Sequence, residues 1–248
     1  MSKALERIDP KMVLGAYAVG VFPMADHRAA DTVYWVEPKR RAILPLNGFH
    51  LSRSLKKTIV AEKFHVTADR DFRQLIRLCA EAEPDRPETW ISESIERVFI
   101  ELHEQGHAHS IECWQGGALV GGLYGLALGR AFFGESMVSR ARDASKVALA
   151  WLVARLKAGG FSLLDCQFQT DHLASMGAIE ISRTTYLGLL ASAVGGAVSA
   201  GSVAGALSFP PEASGDFFAL DRGLGGATDT DSGPPSGKRI AQLLTVTS

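Results

Sequence analysis

Glu135 stands between Gly134 and Ser136, directly after Phe132 and Phe133, on a segment that reads as a strand. A carboxylate in such company either faces water or is buried to meet a cation. Thirty residues on, Leu163-Leu164-Asp165-Cys166-Gln167 reads as another strand. Asp165 and Gln167 are two apart and share one face, so an acid and an amide lie side by side near a strand end. His103, His107 and His109 invite a metal reading, but no carboxylate or cysteine completes a recognisable ligand spacing, and they read better as packing or capping histidines. Cys79, Cys113 and Cys166 are isolated, as in reduced, mostly buried thiols of a cytosolic protein. Arg70, Arg73 and Arg77, at i, i+3 and i+7, stack along one helix side as either a solvated face or a phosphate-contacting stripe.

The elements that must position these groups centre on Gly116 to Ala150. This stretch reads as strand, turn, strand, loop and helix. Gly121, Gly122 and Gly125 interrupt the apolar run Leu119–Leu128 and predict a bulge or a close backbone approach. Gly129-Arg130 suits a tight reversal. Asp143 or Ser145 can cap the helix, whose apolar positions Val147, Ala148, Trp151, Leu152 and Leu156 recur at helical spacing. Upstream, Pro10 opens a short helix that ends in a turn at Gly20–Pro23, and residues 34–36, 42–44 and 64–66 read as short strands. Helices are expected from Asp69 to about Ala82, from Ser92 to about Glu104 and from Arg183 to about Leu190.

At 248 residues with 46% hydrophobic residues the chain can bury a sizeable core. A formal net charge of -1 leaves only a local patch for nucleic acid. The N-terminus has charges of both signs and no apolar core, so no signal peptide is expected. Gly188–Phe209 carries no charge, yet its glycine, alanine and serine content makes it a poor membrane span. The acidic loop EAEPDRPE marks the expected domain boundary, and ATDTDSGPPSGKR reads as a flexible tail.

Taken in order, GVFP, YW, TWI, LHEQGHAHSIECW, LVGGLYG, FFGESMVS, ASKVAL, LDCQ and HLASMGA resemble the leucyl/phenylalanyl-tRNA-protein transferase family over roughly residues 14 to 190. The resemblance implies an α/β (α+β) fold: a small N-terminal domain, residues 1–82, on the tRNA 3′-end side, then an acetyltransferase-like (GNAT-like) catalytic domain, 83–210, with 211–248 as a flexible tail. It implies transfer of Leu, Phe or Met from aminoacyl-tRNA to proteins with N-terminal Arg or Lys, by a cytoplasmic, monomeric enzyme without cofactor, metal or membrane. Matching the family pattern makes Asp165, alone or with Gln167, the base, and Glu135 the group that attracts the cationic acceptor. It gives the donor pocket Leu123, Phe132, Met137, Leu149, Leu152 and Leu164, and it puts the terminal adenosine on Trp35 and Trp90. Arg53, Lys56, Lys57, Arg70, Arg73 and Arg77 would follow the acceptor-stem phosphates. The chain departs from the pattern at Met24 after GVFP and in YWVEPKRR, where Tyr34 replaces a Trp. Glu37 there brings a charge that Lys39, Arg40 and Arg41 would have to offset.

Two other functions fit parts of the sequence. An acetyltransferase of the same fold would need a glycine-rich pyrophosphate cradle, and SRARDASK has no glycine. A non-catalytic binder of basic N-termini or RNA would keep Glu135 and the tryptophans without needing Asp165.

Overall fold

The structure, a computed structural model, describes residues 7–82, 88–195, 214–222 and 235–245. Most of the acidic loop, the uncharged run beyond Gly195 and residues 227–234 of the expected tail lie outside them.

A seven-stranded sheet organises the chain. Its strands are β3 (Arg40–Ile43), β4 (His65–Ala68), β5 (Ala108–Gln115), β6 (Ala118–Leu128), β7 (Ala131–Ser139), β8 (Leu163–Gln167) and β9 (Ile179–Ser182), in the spatial order β4-β5-β6-β7-β8-β3-β9. Every neighbouring pair is antiparallel except β7 and β8. A parallel pair needs a crossover, supplied by helix α5 (Ala144–Ala158). Strands from both sides of the acidic loop share this sheet, because β4 pairs with β5 and β3 lies between β8 and β9. A separate two-stranded ribbon, β1 (Phe22–Met24) and β2 (Tyr34–Val36), follows helix α1 (Pro10–Ala18). The expected turn at Gly20–Pro23 thus runs straight into a strand, with Pro23 opposite Trp35.

Side chains alternate between the faces of the sheet. Tyr124, Leu126 and Phe133 enter a core with α1, α3 (Phe72–Ala80), α4 (Glu93–Glu104) and α7 (Arg183–Ala193). Leu123, Phe132 and Leu164 enter the other, with α2 (Arg53–Val60), α5, α8 (Ala219–Arg222) and α9 (Gly237–Thr245). Ser52, Asp71 and Ser92 cap α2, α3 and α4 through their side chains. Asp143 precedes α5 in a left-handed conformation and makes no side-chain cap, contrary to the expected role.

The glycines of β6 behave as their spacing predicts. The ladder shifts register between Tyr124 and Gly125, and a Cβ at Gly125 would lie 2.2 Å from the Phe133 carbonyl oxygen and 2.4 Å from the Phe132 ring. The bulge re-aims the strand where β7 begins to leave β8.

The reading of residues 211–248 as a flexible tail is corrected for the described part. Phe217 and Leu220 are buried, Phe217 stacks on His109 at 4.2 Å, and Arg155 donates two hydrogen bonds to Asp221, at 2.6 and 2.8 Å. Ile240 and Ala241 of α9 are buried in the same core as α2 and α5. Low-complexity composition around these residues hid a few apolar anchors that suffice to dock short helices.

Candidate functional site

The parallel pairing of β7 and β8 is short: Ala131, Phe132 and Phe133 face Leu163, Leu164 and Asp165, and there it stops. Beyond that point a cavity of about 340 Å³ is lined from one side by Gly134, Glu135, Ser136 and Met137, and from the other by Cys166, Gln167 and Phe168. Leu123, Leu149, Leu152, Leu164 and Leu173 make its apolar wall, and Phe22, Met24 and Trp90 complete the lining. The volume lies in the range of small-molecule sites, and the mixture of an apolar wall with a few polar groups is their usual composition.

Five of the six expected donor-pocket residues, Leu123, Met137, Leu149, Leu152 and Leu164, line this cavity. Phe132 does not. It faces Leu164 inside the paired part of the sheet, where it stacks on Phe217 at 5.8 Å and meets the edge of Phe161, so it fills core behind the cavity.

Asp165 is fully buried and also stands behind the wall rather than on it. Its Oδ1 accepts from Arg41 Nε at 2.9 Å and from the Gln167 backbone N–H at 2.8 Å. Its Oδ2 accepts from Arg41 Nη2 at 2.6 Å and from the Tyr186 hydroxyl at 2.7 Å. Arg41 Nε also reaches Oδ2, at 3.0 Å, so each oxygen has at least two donors, which is what a buried carboxylate requires. Arg41 is as deeply buried. Its guanidinium lies over the rings of Phe22 and Tyr186 at 4.7 and 4.6 Å, and Nη1 donates to the Gly20 carbonyl. Burial opposes the charge on Arg41, but hydrogen bonding to Asp165 and its negative charge outweigh this and raise the pKa further.

The consequence of this ion pair is the placement of Gln167. Its backbone is left-handed, φ 55°, and the Phe168 N–H donates to the Cys166 carbonyl at 2.7 Å across it. A glutamine in this conformation costs on the order of 1–3 kcal/mol and stays there only if its surroundings hold it. The bond from its N–H to Asp165 does so. Its side-chain Nε2 then donates to Glu135 Oε1 at 2.9 Å, so Asp165, Gln167 and Glu135 form one chain of contacts that ends in the cavity.

Glu135 is 8% exposed, and its Oε2 is a buried atom without a hydrogen-bond partner among the described residues. Burial pushes its carboxyl up to about 8. A side-chain interaction with Tyr17 opposes the rise, and the charge of Asp165 adds to it. The hydroxyls of Tyr17 and Tyr124 are likewise buried without a well-formed hydrogen bond, and both phenols are raised by burial and then by the charge of Glu135. His172 lines the cavity as well, its Nε2 without a partner among the described residues, and burial followed by the charge of Lys146 lowers its pKa.

The tryptophans separate. Trp90 lines the cavity, whereas Trp35 is 36% exposed on the β1–β2 ribbon that also supplies Phe22 and Met24. The arginine stripe is mostly neutralised. Arg73 pairs with Glu104, Arg77 donates to Glu96 at 3.0 Å, and Arg70, which precedes α3, lies over Trp114 at 4.7 Å. Glu37 is met by Arg183 rather than by its basic neighbours: Arg40 pairs with Glu180 and Arg41 with Asp165. Among the histidines, His103 binds the Ala108 carbonyl and stacks on Phe72, and His109 binds Asp69.

Arg41, Tyr186, Tyr17, Tyr124 and Phe168 were not singled out by sequence reasoning as site residues. Within the run Lys39-Arg40-Arg41 nothing local sets Arg41 apart, since Lys39 shares its phase, and the pairing with Asp165 across the sheet is what turns it inward.

An apolar hole between diverging parallel strands, with an amide and a buried acid at its side, defines an α/β protein with a cleft for a small molecule. Comparison with known proteins narrows the class. Residues 43–191 match the family described as leucyl/phenylalanyl-tRNA protein transferase, and residues 6–39 match that family's N-terminal domain. A leucyl/phenylalanyl-tRNA–protein transferase of Rhizorhabdus wittichii is 61% identical over 251 residues, covering 98% of this chain and all of the relative. Proteins of the same name from Zymomonas mobilis and Novosphingobium aromaticivorans are 66% and 59% identical, each over 75% of this chain and 70% and 71% of their own length. The chain belongs to the leucyl/phenylalanyl-tRNA protein transferase family, whose members are transferase enzymes.

Proposed function

We propose that this chain moves leucine, phenylalanine or methionine from aminoacyl-tRNA to the α-amino group of proteins that begin with Arg or Lys, marking them for degradation by the N-end rule pathway. The cavity between β7 and β8 carries the proposal, because it joins an apolar hole to a carboxyl and a primary amide. The donor side chain enters among Leu123, Met137, Leu149, Leu152 and Leu164, where Met137 adapts to linear, branched and aromatic groups. Trp90, with Trp35 on the adjoining ribbon, takes the terminal adenosine by stacking, worth roughly 1–3 kcal/mol per base. In this reading residues 1–82 serve the tRNA 3′ end and residues 83–210 form the acetyltransferase-like catalytic part. RNA phosphates go to Arg53, Lys56 and Lys57, exposed on α2, before Arg73 and Arg77, whose charges glutamates already meet.

An aminoacyl ester is already activated, so holding an amine against it supplies much of the rate. Gln167 is suited to that task. Its Nε2 is committed to Glu135, which leaves Oε1 to accept from the incoming amine, and Asp165 fixes its backbone from behind. The negative charge of Glu135, released when a cation approaches, favours acceptors with a basic first residue. The enzyme works as a cytoplasmic monomer with no cofactor. Acetyl-CoA is disfavoured as donor, since the start of α5 carries Asp143 where a pyrophosphate would sit. The test is transfer of labelled leucine from Leu-tRNA to a peptide beginning with Arg, beside the same peptide beginning with Glu and beside labelled acetyl-CoA. Labelling of the Arg peptide from tRNA alone is expected. Labelling from acetyl-CoA, or none from any donor, would refute the proposal.

A further inference from the structure

We infer that Glu135, through Oε2, is the catalytic residue that takes the proton from the acceptor's α-ammonium group, and that Asp165 is a positioning residue. The inference deepens the transferase reading above and rests on it. Two observations carry it. Both oxygens of Asp165 are saturated by Arg41, Tyr186 and the Gln167 N–H, and the residue is not on the cavity wall, so a substrate proton has no path to it. Glu135 is on the wall, has one oxygen held by Gln167 and has its other, buried oxygen without a well-formed hydrogen bond among the described residues.

Orphaned buried polar atoms are costly, and among the described residues three lie within electrostatic reach of one another: Oε2 of Glu135 on β7 and the hydroxyls of Tyr17 on α1 and Tyr124 on β6. A carboxylate is stabilised when it accepts from a phenol, here Tyr17, and an ammonium group arriving through the cavity adds a further donor. The charged groups that bear on Glu135 are Asp165 on β8 and Arg41 on β3, whose charges oppose each other within one ion pair. Burial therefore dominates and brings the carboxyl to about 8, level with a free α-amino group at about 8. Proton transfer between matched groups is close to thermoneutral.

The reaction balances without a further reagent. The α-ammonium proton passes to Glu135 Oε2, and the freed amine nitrogen bonds to the ester carbonyl carbon while Gln167 Oε1 orients it. The bond from that carbon to the ribose 3′-oxygen then breaks. The nitrogen gives up a second proton and the 3′-oxygen gains one, leaving an amide and a tRNA hydroxyl. The proton that the 3′-oxygen gains is the one Glu135 holds, while the second proton of the nitrogen goes to solvent, so a pair stripped of both protons is unproductive.

The test measures kcat/KM against pH for the full-length wild type, Glu135→Gln, Glu135→Asp and Asp165→Asn, with Leu-tRNA and an Arg-initiated peptide. Wild type should rise with pH, peak near 8 and fall, because the productive pair shares one proton. Glu135→Gln should lose about 100-fold or more at the peak and keep only the rise of the free amine to a plateau. Glu135→Asp, which retains a carboxyl, should restore both limbs at an intermediate rate. Asp165→Asn should be slow yet keep both limbs. Overturning results are a two-limbed Glu135→Gln profile, a defect of that variant confined to KM, or loss of a limb in Asp165→Asn. A wild-type chain that transfers nothing from tRNA would remove the transferase reading and this inference with it. An active wild type with any of the overturning results would remove this inference alone.

Discussion

Glu135→Gln should make the protein more stable, by an amount that grows with pH. The side chain keeps its shape and its contact with Gln167, while the cost of burying an ionisable acid disappears. The carboxyl is raised from 4.5 to about 8 in the folded chain. A folded-state pKa above the unfolded one gives stability that is complete below about 4.5 and is lost as pH rises towards 8. At about 1.4 kcal/mol per unit, the native protein gives up on the order of 3 kcal/mol by pH 7 and 5 kcal/mol by pH 9, against 1 kcal/mol or less at pH 5. The glutamine variant has no such loss. Urea unfolding of both proteins at the three pH values should show a gap that widens in this way, and in a chain of this length 3 kcal/mol corresponds to roughly 6–12 °C in Tm. A gap that is constant with pH, or a variant less stable than wild type at pH 9, would refute the assignment of Glu135 as a buried acid with a raised pKa. Stability surrendered at one residue in this manner is the common trade at sites kept for activity.

Other perturbations test separate parts of the structure. Leu152→Trp should fill the cavity and abolish transfer of phenylalanine before that of leucine with circular dichroism unchanged, as read by competition between the two charged tRNAs. Arg41→Met strands a buried Asp165 and should cost about 3–5 kcal/mol, while adding Asp165→Leu should recover most of the stability but not the transfer rate. Phe217→Ala should destabilise by about 3–5 kcal/mol and expose the chain beyond residue 213 to proteolysis, whereas a tail without a docking role would show no change in unfolding.

The parts of this fold that were legible in the sequence are those with a local physical signature. The hairpin of β6 and β7, its bulge and the helix that follows announce themselves by glycine placement and by apolar spacing, and Glu135 stands out because a carboxylate after two phenylalanines needs a reason. The family motifs brought five pocket residues to one cavity. What escaped was set by contacts between distant segments. Arg41 meets Asp165 across 124 positions, and no periodicity within a four-residue strand marks that it will stack between Phe22 and Tyr186. Phe132 and Phe133 are indistinguishable as types, and only the pairing of β7 with β8 decides that Phe132 serves the core. Glu104 and Glu96 sit on α4, so the neutralisation of Arg73 and Arg77 follows from helix packing that spacing within α3 does not reveal.

The most direct test is a crystal structure of the chain with a non-hydrolysable phenylalanyl-adenosine. The benzyl group should lie among Leu123, Met137, Leu149, Leu152 and Leu164, with its carbonyl carbon within about 4 Å of the point that Gln167 Oε1 and Glu135 Oε2 both reach. A ligand bound elsewhere, or one whose carbonyl is turned away from both groups, would contradict the account.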